Sequence, residues 1–158
     1  MISKILVLVS LVYVAQAASA QTSCVPSDSS CDFYSCLENQ VQCGPQGYLD
    51  RFATPLCERY RADEAVTFSG KLHAWYPKVR LCLQEALVNL DDVSSCEGLQ
   101  AKALASHADC YFQTGFCDLD WSDRIQIARL AGRSIFQQAV WEAGIKVLEQ
   151  CRQARHSR

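Results

Sequence analysis

KLHAWYPKVRLCLQEALVNL, residues 71–90, places Leu72, Trp75, Val79, Cys82, Leu83, Ala86, Leu87 and Leu90 at intervals of three and four. Apolar residues at that period lie on one side of an α-helix, so the stretch predicts an amphipathic helix burying a single stripe. Pro77 is readable as the helix's first turn instead of a kink. The same period recurs on both sides of this segment. Upstream, Ser29 or Ser30 is a candidate cap for a short helix over Cys31 to Gln40, which stops before Cys43-Gly44-Pro45 with Gly47 close behind. Tyr48, Phe52, Leu56 and Tyr60 repeat every four residues, and Pro55 must kink or divide that helix because it has no N–H to donate.

Downstream, Ser94 or Ser95 offers the next cap, and Leu99, Ala103, Leu104, His107, Cys110 and Tyr111 hold the helical spacing until Gly115. Ser122 precedes Ile125, Ala128 and Leu130, with Gly132 as a stop; Ser134 precedes Ile135, Ala139, Val140, Ala143, Val147 and Cys151. No segment sustains strict alternation, so strands have no support. The expected fold class is all-α, a small disulfide-rich domain of about five to six helices.

The first 20 residues read differently. Lys4 precedes an apolar run from Ile5 to Val14, and Ala18-Ser19-Ala20 satisfies the small-x-small rule for cleavage before Gln21. Residues 1–20 are expected to be a signal peptide and 21–158 a single disulfide-stapled helical domain, of a size that can bury a real core. The apolar run is too short to span a bilayer and no later run approaches about 20 apolar residues, so no membrane insertion is expected. All ten cysteines lie downstream of the leader, with no Cys-x-x-Cys among them. In an exported chain that is a disulfide framework, and a secreted, extracellular protein is expected. Cys82, Cys96, Cys110 and Cys151 fall in predicted helices, where a bridge can lock one helix against the next. Residue types alone leave the pairing open.

The formal net charge of −2 argues against a nucleic-acid partner, which needs a broad basic face. Arg152, Arg155, His156 and Arg158 form the only charge bias, read as a frayed, solvated terminus. Ser106-His107-Ala108-Asp109-Cys110-Tyr111 has some likeness to the His and Asp of secreted phospholipases A2, and Cys43-Gly44-Pro45-Gln46-Gly47 to a glycine-containing calcium loop. In the phospholipase motif His and Asp are adjacent. Here Ala108 intervenes, and at about 100° per residue Asp109 turns to another face. A secreted calcium-dependent lipolytic enzyme using His107 is therefore the alternative, and no catalytic residue is assigned. His73 and His156 have no partner at metal-ligand spacing. Asp118, Asp120 and Asp123 lack the Gly and terminal Glu of an EF-hand, and helix capping by Asp118, Asp120 or Ser122 accounts for them. No metal and no cofactor is expected. Trp75, Tyr76, Trp121 and Trp141 are large amphipathic side chains of the kind that anchor interfaces. Within the predicted loop Phe116 to Trp121, Phe116 and Trp121 are the candidate partner-binding residues, Trp121 the more exposed for its polar neighbours Asp120, Ser122 and Asp123.

From Cys31 onward, the residues between successive cysteines number 4, 6, 13, 24, 13, 13, 6 and 33. With Cys36-Leu37-Glu38-Asn39, Phe68-Ser69-Gly70-Lys71 followed by Arg80-Leu81-Cys82-Leu83, and Asp109-Cys110-Tyr111 leading to Cys117, this ladder resembles that of the stanniocalcins, secreted glycoprotein hormones. The resemblance covers about Cys24 to Cys151. It implies a definite pairing: Cys24–Cys36, Cys31–Cys57, Cys43–Cys96, Cys82–Cys110 and Cys117–Cys151. It also implies a signalling or regulatory protein acting by binding an extracellular protein or receptor, connected with calcium and phosphate balance or with inhibition of a secreted protease. A structural or defence protein is a further alternative. The chain departs from the family in three places. Gly44-Pro45-Gln46-Gly47 reads as an inserted turn. Asn39-Gln40-Val41 and Asn89-Leu90-Asp91 lack a glycosylation Ser or Thr. The even cysteine count supplies no thiol for a covalent dimer, so a monomer or non-covalent homodimer is expected.

Overall fold

The computed structural model describes residues 23–64, 68–91, 93–132 and 138–156. The expected leader over 1–20, the cap Ser134, Ile135 and Arg158 lie outside the described residues. Six α-helices account for most of the rest: α1 (Asp32–Val41), α2 (Thr54–Glu64), α3 (Gly70–Glu85), α4 (Cys96–Gln113), α5 (Trp121–Ala131) and α6 (Gln138–His156). A π-helical turn, Leu49–Ala53, runs into α2, and a 3₁₀ turn, Phe116–Asp118, precedes α5. Among the described residues there is no strand, and the fold is all-α.

Local chemistry explains most boundaries and corrects several expected ones. The Ser69 hydroxyl accepts from the Leu72 N–H at 3.1 Å, so α3 begins before Pro77, which lies inside the helix instead of in its first turn. The helix ends at Glu85; Leu87, beyond it, is nonetheless buried. Of the two candidates for α4, Ser95 is the cap, accepting from the Gly98 N–H at 3.0 Å. α1 starts one residue late, with Cys31 at the cap position; the Ser30 hydroxyl still accepts from the Asp32 N–H. Pro55 lies in the first turn of α2, and the division it requires is the π turn immediately before it. Gly44 to Gly47 closes as a turn, Gly47 N–H to Gly44 carbonyl at 2.8 Å. A Cβ on Gly47 would stand 2.6 Å from that of Cys43, so the chain returns too closely for any other residue.

The long helix α4 is shared by both parts of the core. Its first half, Leu99, Ala103 and Leu104, packs with Phe33, Tyr34 and Leu37 of α1 and with Leu49 and Ala53 of the π turn. Its second half, Ala108 and Cys110, packs with Leu72, Trp75, Tyr76 and Val79 of α3, Ile127 of α5, and Val147 and Cys151 of α6. Tyr60 stacks on Tyr76 at 4.7 Å between centroids and donates its hydroxyl to the Ile127 carbonyl at 2.7 Å, joining α2, α3 and α5.

Five disulfides cross this framework: Cys24–Cys36, Cys31–Cys57, Cys43–Cys96, Cys82–Cys110 and Cys117–Cys151. These are the five pairs that the stanniocalcin resemblance implies. The Cα–Cα distances run from 5.3 to 6.1 Å, inside the range a bridge requires. Cys82–Cys110 ties α3 to α4, and Cys117–Cys151 ties the 3₁₀ turn to α6. The basic end of the chain is not frayed as expected: Arg152, Arg155 and His156 belong to α6, with His156 Nδ1 at 2.8 Å from the Arg152 carbonyl.

Candidate functional site

Helices α2, α4, α5 and α6 do not close completely. Between them lies an open groove of about 370 Å³, a volume suited to a small ligand or an anchoring side chain. Phe52, Leu56 and Tyr60 form one wall; Leu104, His107 and Tyr111 of α4 form the base; α5 and α6 form the remaining sides. Trp121, Trp141, Ile145 and Leu148 stand at its edge in solvent, Trp121 being 71% exposed and Trp141 59%. A cluster of large apolar residues left in water marks a binding surface more often than chance.

Both expected partner residues line the groove, but they differ in exposure. Trp121, the first residue of α5, is exposed on the groove's rim. Phe116 is not: it is buried, with its ring 5.6 Å from that of Tyr111 and the Arg124 guanidinium 5.2 Å from its centroid. The segment expected to be a loop is a 3₁₀ turn held to α6 by Cys117–Cys151, and that tether directs Phe116 into the core. Trp75 and Tyr76 are likewise core residues. Trp141, one of the four aromatic residues expected as possible anchors, is exposed on α6 beside Ile145 and Leu148, which the sequence did not single out; there the apolar residues picked for α6 were Val140, Val147 and Cys151. The signal was present: α6 carries apolar residues on two adjacent stripes, and only one can face the core.

His107 is half-buried in the base of the groove. Its Nδ1 lies 2.7 Å from the Ala103 carbonyl, which can only accept, so the ring proton sits on Nδ1. Burial holds its pKa below the usual 6.5, opposed by that hydrogen bond, and the ring is neutral at pH 7. Asp109 does not assist it. Its carboxylate accepts from Gln150 at 2.9 Å and pairs with Lys146 at 3.2 Å, on the α4–α6 seam. Those bonds hold its pKa below the usual value. No Ser, Thr, Cys, Asp or Glu is among the described residues lining the groove, so none of them gives His107 a carboxylate partner there.

The low pKa has a measurable result. Below pH 6.5 the unfolded chain takes up a proton at His107 before the folded chain does, so the unfolded state holds more protons and stability falls as pH drops through that window. Between pH 7.5 and 5 the wild-type melting temperature should therefore fall more steeply than that of His107→Gln. Parallel curves would exclude His107 as the source.

The three acidic residues before and in α5 do not gather around a common point. Asp120 stands at the cap position but makes no side-chain cap bond; its carboxylate accepts from Lys71 at 3.2 Å. Asp123 is buried. Asp120 thus holds the cap position that the sequence offered, but its side chain meets Lys71 and makes no cap bond. Among the described residues no three His, Cys, Asp or Glu side chains converge where they could hold a metal ion. No helix among them is long and apolar enough to cross a membrane.

Fold and groove together define a small all-α protein stapled by five disulfides, with an apolar groove between helices α2, α4, α5 and α6. No protein-family model, no curated protein and no solved structure matches the chain.

Proposed function

We propose that this is a secreted, stanniocalcin-like regulatory protein, hormone-like in mode, which acts by binding an extracellular protein or receptor and not by catalysis. The observation that carries the reading is the exposed cluster Trp121, Trp141, Ile145 and Leu148, presented where the Cys117–Cys151 bridge ties the turn before α5 to α6. Rigid aromatic anchors around a concavity are what protein recognition uses, since they bury large area at little cost in side-chain entropy. Five disulfides support an oxidising compartment, and their pairing supports the stanniocalcin resemblance. Through that resemblance the role would touch calcium and phosphate balance, or the inhibition of a secreted protease.

The test uses the mature, oxidised protein. Mixed with its own extracellular fluid, it should form one stoichiometric complex that light scattering resolves and that Trp121→Ala with Trp141→Ala weakens at least ten-fold without changing the circular dichroism. Hydrolysis of lipid esters by the purified protein, abolished in His107→Ala, would instead establish the lipolytic enzyme.

A further inference from the structure

The groove is kept open by residues too small to fill it. Gly144 lies inside α6, where Gly is the poorest helix former after Pro. A Cβ added there would meet no heavy atom within 4 Å, so no close approach of another segment requires the glycine. What its missing side chain leaves is room in the groove it lines, and Ala128, Ala131 and Ala143 extend the same shallow lining.

Among the described residues that line the groove, Arg124 carries the one permanent charge. Its guanidinium lies over the Phe116 ring, and Nη2 donates to the Cys117 carbonyl at 2.7 Å. Its Nε is shielded from solvent and has no hydrogen-bond partner among the described residues. That shielded nitrogen is closed to a ligand as it is to water, but the guanidinium as a whole is a cation on the wall of an apolar channel, and a carboxylate is the anion best matched to it. Trp121 and Trp141 at the rim would cover the alkyl part of such a molecule from water.

We infer that the groove binds a free single-chain carboxylate amphiphile of the fatty-acid type, its carboxylate on Arg124 and its chain running past Gly144 toward Ile145 and Leu148. The inference rests on reading the groove as a binding site and names the chemistry it takes. The volume of about 370 Å³ falls in the range of pockets that enclose one small ligand. Each methylene removed from water should tighten binding up to about four-fold, so long chains are favoured over short ones.

The probe is cis-parinaric acid, whose fluorescence rises in an apolar site, titrated into the oxidised mature protein. Saturable binding at one per chain is expected, displaced by oleate and at least ten-fold less well by octanoate. Gly144→Phe puts a ring into the groove from a position whose Cβ meets no heavy atom within 4 Å, and should weaken binding at least ten-fold with helix content retained. Arg124→Gln should weaken oleate about ten-fold and leave oleyl alcohol unchanged. Absence of saturable binding overturns the inference, as does binding that Gly144→Phe leaves intact. Co-flotation with phosphatidylcholine vesicles that oleate does not prevent also overturns it, in favour of a membrane-facing surface. A protein complex that survives Gly144→Phe while no fatty acid binds would leave the regulatory reading standing and remove only this one.

Discussion

Replacing Cys43 and Cys96 together by alanine is expected to cost about 4 kcal/mol of stability, the largest loss from removing any one bridge. Cys43 lies in the turn after α1 and Cys96 is the first residue of α4, and their bridge spans 53 residues of sequence, the widest of the five. In the chain-entropy account the unfolded state regains the freedom of that whole loop. Cys24–Cys36, spanning 12 residues, returns only about 3 kcal/mol by the same relation. Position adds to length: Cys43–Cys96 holds the α1 region against the start of α4, where Leu99 and Ala103 meet Phe33, Leu37 and Leu49. Thermal unfolding of the oxidised double variant should show a midpoint lower by on the order of 15 °C, with reduced yield from secreting cells. Equal midpoints and yields would sink the prediction.

Replacing Gln84 by leucine is expected to cost about 2–4 kcal/mol although the volume hardly changes. Gln84 is fully buried in α3, and its amide grips the segment before α1 from both sides: Oε1 accepts from the Ser27 N–H at 2.7 Å, and Nε2 donates to the Ser30 carbonyl at 2.8 Å. Leucine leaves both backbone groups without their partner, and a partly buried backbone group that loses its bond costs its desolvation. The neighbouring Arg80 Nη1 donates to the Asp28 carbonyl and so holds the same segment one turn earlier on α3. Retention by Arg80 and by the Cys24 and Cys31 bridges should keep the segment attached, so the loss is local. Amide exchange of residues 27–30 should accelerate and the urea midpoint fall with the slope unchanged. Unaltered exchange at Ser27 would show that the amide does not hold the segment.

Both predictions concern contacts that no local pattern announces. Gln84 sits among apolar neighbours at helical spacing, and nothing nearby in sequence says that its amide faces Ser27, 57 residues away. The caps were easier, since a hydroxyl bonding an N–H three residues on needs only its own turn. Ser95 was one of two candidates the sequence offered, and Gly115 and Gly132 end their helices at φ of 98° and 57°, where glycine is favoured. Pro77 misled because a helix begun earlier, at the Ser69 cap, can carry a proline inside it once packing supports it. Phe116 misled because its burial comes from the bridge between Cys117 and Cys151, 34 residues apart.

By itself, the sequence determined what depends on neighbours along the chain: a helical fold without strands, the position of most helices, and the expectation of an exported, disulfide-bonded protein. For the pairing of the cysteines it had only a family resemblance to offer. The tertiary structure alone decided which apolar stripe of α6 faces the core and which stays in water, and that α2, α4, α5 and α6 leave a groove. It also set Arg124, His107 and Gly144 around that groove while turning Asp109 away to Lys146. The division has one physical cause. Helical periodicity is a property of a few successive turns, whereas a cavity is volume left unfilled where several helices meet, and no single helix records its neighbours' shapes.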